Sequence, residues 1–165
     1  MADAELGFEE FMAARWQPLF RTAYLLTGDR HEAEDLLQTA LARTCVRWNA
    51  IRDKGAADAY VRQAMFNLAQ RGWRRRSREV VTEHLPDDGH DHLAVRADHL
   101  ALWAEVRRLP PRMRATLVLR FFEDLSVADT AHVLGCSEGA VKSQTHHALR
   151  RLREALPALD LSEEL

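Results

Sequence analysis

Within residues 134–153, LGCSEGAVKSQTHHALRRLR, the side chains of Ser137, Glu138, Lys142, Ser143, Gln144, His147 and Arg150 gather hydrogen-bonding groups and positive charge on one stretch of helical spacing. Such groups make and break no bonds by themselves. They suit recognition: a carboxamide such as Gln144 matches the edge of adenine, and Lys142 matches a guanine or a phosphate. A second cluster lies in residues 71–78, RGWRRRSR, with five arginines, no acid, and Trp73 among them. Cations interleaved with an aromatic ring suit a phosphate backbone whose bases are unstacked nearby.

The other chemistry-bearing residues point nowhere as clearly. His84, His90, His92 and His99, with His146 and His147 further on, raise the possibility of a metal-sensing switch. Of the first four only His90 and His92 are closely paired, no CxxC or HExxH is present, and a loose segment is poor at holding tetrahedral geometry. A glycine-rich phosphate loop and a nucleophile elbow are both missing, so neither a catalytic residue nor a metal or cofactor is expected. Cys45 and Cys136 belong to no paired motif and are expected to be reduced thiols packed as small apolar residues.

The recognition groups need elements to carry them. In the 134–153 stretch, Ser126 with Asp129 three residues on resembles a capping box that opens a short helix to Leu134. Gly135 ends that helix, Ser137 caps the next, and the last helix runs to about Leu156 before Pro157. Ala131 is small where the two helices would cross, while Val141, Thr145, Ala148 and Leu152 keep an apolar seam. Two helices joined by a tight glycine turn have the dimensions of a helix-turn-helix, whose second helix enters the major groove amino end first.

Upstream, Phe8, Phe11, Met12, Leu19, Ala23 and Leu26 predict an amphipathic helix that stops at Gly28. Asp29 caps a second, with Ala33, Leu36, Leu37, Ala40, Leu41, Thr44 and Trp48 as its stripe and Glu32, Glu34, Asp35 and Gln38 facing elsewhere. Residues 49–57 show no stripe and are expected to be a loop. A third helix, about Asp58 to Arg76, would pack Tyr60, Val61, Ala64, Met65, Leu68 and Trp73 inward and end in the arginine cluster. Residues 79 to about 91, with Pro86, Gly89 and paired aspartates, form a solvated linker. Periodicity resumes at Leu93, Ala97, Leu100, Trp103, Ala104, Val106 and Leu109, and a further helix is predicted from Pro111 to Phe122.

Composition agrees with this reading. The chain has 165 residues, 47% apolar and 29% charged, with seven glycines, which suits one domain or two small helical ones. Its net charge of −2 conceals a sharp division: the five arginines of 71–78 are followed by 21 residues holding six acids and one arginine. Fields act over a Debye length of about 8 to 10 Å, so a local basic surface is felt despite the average. No apolar run approaches the roughly 20 residues of a membrane span, and the acidic amino terminus lacks signal-peptide character, so a cytosolic protein without membrane insertion is expected.

Three blocks in this order resemble the extracytoplasmic-function sigma factors, the smallest class of the bacterial sigma-70 family, and most of all its short actinobacterial members. They are FEEFMAARWQPLFRTAYLLTGDRHEAEDLLQTALAR, DAYVRQAMFNLAQRGWRRR and LPPRMRATLVLRFFEDLSVADTAHVLGCSEGAVKSQTHHALRRLREAL. The resemblance implies an all-α chain of two small domains: a four-helix-type region two in residues 1–78, an acidic flexible linker in 79–92, and a region four in 93–165. It implies that Glu34, Asp35 and Gln38 dock on the beta-prime clamp helices of core RNA polymerase, with the beta flap as a second contact. Asn49, Arg52 and Lys54 of the loop, with Asn67, Arg71, Trp73, Arg74 and Arg75, would capture and melt the minus-ten element. Ser137, Glu138, Lys142, Ser143, Gln144, His147 and Arg150 would hold the minus-thirty-five element as duplex, and an anti-sigma protein is implied as a further partner. Gln144 and His147 stand where relatives usually carry basic residues, and Thr130 stands where an aliphatic residue is usual, which loosens the packing there. The competing reading is an autonomous helix-turn-helix regulator acting without polymerase. It accounts for residues 126–153 and leaves the first two blocks without a purpose.

Overall fold

The computed structural model describes residues 7–76 and 97–159, and among these every regular element is helical. The chain divides into two compact units, Met1–Pro86 and Asp87–Leu165. The division falls within 79–92, the stretch expected to be a linker, which lies outside the described residues together with the histidines His84, His90 and His92.

The first unit contains α1 (Phe8–Thr27), α2 (Arg30–Val46) and α3 (Ala57–Arg76). Three helices stand here among the described residues, where the resemblance implied a four-helix type. Gly28 ends α1 in the left-handed conformation with φ 73°, and the Asp29 carboxylate accepts from the Glu32 N–H at 2.9 Å, so one helix stops and the next starts within two residues. Phe11, Leu19 and Ala23 of α1 meet Ala33, Leu37, Ala40 and Leu41 of α2 and Val61 and Met65 of α3 in one core. Helix α3 buries more than its expected stripe: Phe66 and Ala69 are buried, whereas Tyr60, Ala64, Leu68 and Trp73 are half-buried. The physical reason is that α3 packs on both α1 and α2, which widens its covered arc beyond one row of residues. Cys45 also differs from expectation. It is exposed, because it lies one position, about 100° around α2, beyond the buried Thr44.

The segment expected as a loop holds two short 3-10 turns, Trp48–Ala50 and Lys54–Ala56. Trp48 has left the α2 helix but remains buried, its ring 5.3 Å from Phe8 and 5.2 Å from Phe11 between centroids.

The second unit contains α4 (Ala97–Arg108), α5 (Pro111–Leu117), α6 (Val127–Leu134) and α7 (Glu138–Ala155). The helix predicted over 111–122 is α-helical only to Leu117 and then widens into a π turn, Val118–Phe122. That turn closes through Glu123 N–H to Val118 O and Leu125 N–H to Leu119 O, both 2.9 Å, with Asp124 in the left-handed region at φ 52°. Its core joins Leu102, Val106 and Leu109 to Leu117, Ala148 and Leu152. Arg114 donates to the Arg107 carbonyl at 2.9 Å and so ties α5 to the carboxyl end of α4.

Candidate nucleic-acid interface

In the second unit, α6 and α7 meet across a turn whose chemistry is local. Ser126 accepts from the Asp129 N–H at 3.0 Å, and its hydroxyl donates to the Asp129 carboxylate at 2.7 Å. Aspartate thus closes the cap onto the serine hydroxyl; the reach of a glutamate back to the serine N–H is one methylene longer. Gly135 adopts φ 62°, ψ 39° and turns the chain, and Ser137 caps α7 by accepting from Ala140 N–H at 3.1 Å. Val141, Ala148 and Leu152 are fully buried along the seam, with Thr145 half-buried between them.

The opposite face of α7 holds the candidate recognition groups. Glu138, Lys142, Ser143 and Arg150 are exposed, and Arg150 lies 3.9 Å from Glu154. Three of the expected residues are engaged or partly covered within the unit. Ser137 spends its hydroxyl oxygen on the cap. Gln144 is half-buried with its Oε1 shut away from solvent and without a hydrogen-bond partner. His147 is half-buried with its ring edge-on to His146 at 5.7 Å.

In the first unit, Asn67, Arg71, Arg74 and Arg75 are exposed along one side of α3 at i, i+4, i+7 and i+8. Gln63 precedes them on that row and donates to Asn67 Oδ1 at 3.1 Å. Arg76 reaches across to Glu32 of α2 at 3.1 Å. On α2, Asp35 and Gln38 are exposed, and Glu34 accepts from Arg30 at 3.2 Å. The α2 and α3 faces are therefore separate surfaces, one acidic and one basic, linked at one edge by the Glu32–Arg76 pair.

Between α2 and α3, Asn49 and Arg52 are exposed, but Lys54 is not placed as a free cation. Its ammonium donates to the Trp48 carbonyl at 2.5 Å and the Ile51 carbonyl at 2.8 Å, and stands 4.6 Å from the centre of the Trp48 ring. The start of α3 is braced by Asp58, which accepts from Arg15 of α1 at 2.6 Å and from Arg62 one turn on. Burial pushes the Asp58 carboxyl up, but the two guanidinium groups outweigh it and hold the group below the usual carboxylate range. The i, i+4 spacing of Asp58 and Arg62 was visible in the sequence; the contribution of Arg15, 43 positions away, was not. Among the described residues, no group of three histidine, cysteine or acidic side chains is placed to hold a metal ion. Nor is any helix there long and apolar enough to cross a membrane.

Residues 13–79 match the family model for sigma-70 region 2, and residues 99–152 match that for sigma-70 region 4. The chain belongs to the sigma-70 family. Within it, the chain is 47% identical over 158 residues to the RNA polymerase sigma-E factor of Streptomyces coelicolor, covering 94% of this chain and 89% of that one. It is 46% identical over 164 residues to the sigma-E factor of Streptomyces avermitilis, covering 98% and 92%. The fold is similar to that of the sigma factor RpoE, solved in complex with the anti-sigma factor NepR from Bartonella quintana. That likeness has a TM-score of 0.76 at 23% identity, over 93% of this chain and 98% of that one. The basic α3 row falls inside the region 2 match, and the region 4 match takes in α6 and α7 as far as Leu152.

Proposed function

We propose that this protein is a sigma factor that binds core RNA polymerase and directs it to promoters bearing two spaced elements. The observation that carries the reading is the pairing of two separate polar and basic helix faces, each inside one of the two sigma-70 regions, on a chain nearly as long as its sigma-E relatives. The exposed ridge of α2, with Asp35, Gln38 and the Arg30-paired Glu34, docks on polymerase. The α3 row of Asn67, Arg71, Arg74 and Arg75, with Trp73 and the loop rim of Asn49 and Arg52, captures the non-template strand of the minus-ten element. Stacking on an aromatic and neutralising phosphates are the physical terms that make an extruded base affordable.

The α7 face then holds the minus-thirty-five duplex: Glu138, Lys142, Ser143 and Gln144 lie in the first two turns, where a recognition helix meets base edges, and Arg150 lies further along toward the phosphates. His147 sits between these groups. The chain makes no bonds of its own in this scheme; phosphodiester chemistry belongs to the polymerase. It acts in the cytoplasm, where polymerase is, and an anti-sigma protein restrains it by covering the polymerase-binding faces.

Multi-round transcription with purified core polymerase, with and without the protein, on fragmented genomic DNA tests this. New discrete starts that share two spaced upstream elements support it. If core polymerase neither binds the protein nor gains starts, while the chain alone binds duplex DNA tightly, the autonomous regulator replaces it.

A further inference from the structure

Lys54 lies in the segment that the proposed function gives to strand capture, yet the surroundings of its ammonium are those of a group already occupied. A lysine ammonium has three donors and no acceptor. Two of them go to the Trp48 and Ile51 carbonyls, and the charge lies against the Trp48 indole. That indole is buried and packed edge-on against Phe8 and tilted against Phe11 of α1. The cation therefore ties both ends of the connection to the core of the first unit, through carbonyls on one side and a ring on the other. Asp53 fixes the adjacent turn by accepting from the Gly55 N–H at 2.9 Å. What this leaves outward is Asn49 and Arg52, held on a short, closed frame.

From this geometry we infer that Lys54 is a positioning residue for strand capture: its ammonium fixes the shape of the α2–α3 connection and makes no contact with DNA. To swing out to a phosphate, the ammonium would have to abandon both carbonyls, leaving the Ile51 carbonyl without this donor and the Trp48 carbonyl with only the Ile51 N–H at 3.2 Å. The inference rests on the proposed role of the first unit in holding the minus-ten strand.

The test compares holoenzymes assembled with wild-type protein, Lys54→Met and Arg71→Ala. Each is titrated with a labelled single-stranded oligonucleotide carrying the non-template minus-ten sequence that start mapping returns, at several salt concentrations, with core polymerase alone as the baseline. Lys54→Met keeps the aliphatic stem. It is expected to weaken oligonucleotide binding about ten- to a hundredfold, the scale of a misplaced contact. The slope of log K against log salt is expected to stay at the wild-type value and core affinity to be unchanged. In the same variant, amide exchange at Ala50, Ile51 and Ala56 should quicken while the interiors of α2 and α3 keep their protection. Arg71→Ala, a phosphate contact in this scheme, should lose about 0.7 from the salt slope. Should Lys54→Met lose helix protection, Lys54→Gln, which retains a donor, takes its place with a smaller loss and the same slope.

A drop of about 0.7 in the slope for the Lys54 variant would make it a direct phosphate contact and overturn the inference. So would unchanged affinity. If wild-type holoenzyme binds the oligonucleotide no better than core alone, the proposed strand-capture role fails first and takes the inference with it.

Discussion

Thr130 is the clearest place to put a number on the packing of the helix-turn-helix. It is fully buried, and its hydroxyl oxygen has no hydrogen-bond partner. Other threonines in these helices resolve the same problem by donating to the carbonyl four residues back: Thr44 to Ala40 at 2.9 Å, Thr116 to Arg112 at 2.8 Å and Thr145 to Val141 at 2.8 Å. At Thr130 that carbonyl belongs to Ser126, where it accepts the Thr130 N–H at 2.9 Å, and the hydroxyl does not join it. A buried hydroxyl left unpaired costs about 1–3 kcal/mol. Valine has nearly the same shape and nearly the same helix propensity, so Thr130→Val removes the cost without opening a cavity. A gain of about 1–2 kcal/mol slows the most protected amides of α7, such as those of Ala148 and Leu152, roughly 5- to 30-fold in hydrogen exchange. Amide exchange on the intact protein reads this for the second unit alone, with the helices of the first unit as an internal control. Unchanged or faster exchange in α6 and α7 would refute the argument, since it would mean that the hydroxyl contributes to the fold.

Asp58→Asn should destabilise the first unit by about 2 kcal/mol, because charge-assisted bonds from Arg15 and Arg62 are lost. The carboxyl is held below its unfolded value of about 3.9, so its contribution is full above that pH and disappears as pH falls through the folded value. Denaturant titrations of wild type and variant should accordingly differ by a constant amount from about pH 5 to 7, and the difference should shrink as the pH falls below about 4. Gly135→Ala should cost about 1–2 kcal/mol in the second unit from the left-handed backbone alone, since a Cβ there meets nothing within 4 Å; thermal unfolding checks this, and a larger loss would indicate a clash. Lys142→Ala in the holoenzyme should lower the salt slope for duplex minus-thirty-five DNA by about 0.9 if it holds a phosphate, measured by fluorescence anisotropy; an unchanged slope with altered base preference would make it a base reader.

Much of this was legible in local sequence. Gly28 with Asp29, and Gly135 with Ser137, mark helix boundaries through backbone rules that act within a few residues, and the structure follows them. The helix-turn-helix seam was legible for the same reason. What escaped depends on where other elements go. Phe66 and Ala69 are buried because α3 touches two helices, and one helix's periodicity carries no record of that. The π turn after Leu117 has no composition signal distinguishable from an ordinary helix end. At the candidate interface, the exposure of Asn67, Arg71, Arg74 and Arg75 was readable from spacing. The occupation of Lys54 was not, because its carbonyl partners are fixed only once Trp48 has packed on α1.

Site-specific photocrosslinking in the holoenzyme would show whether each unit holds a different promoter element. A photoreactive residue is placed at Arg71 in one variant and at Lys142 in another, and the crosslinked nucleotides are mapped on a promoter recovered by start mapping. The Arg71 probe should mark the non-template strand of the minus-ten element, and the Lys142 probe the duplex about two helical turns upstream, with its contacts in the major groove. Crosslinks from both probes to the same element, or from the Arg71 probe to duplex DNA alone, would contradict this assignment.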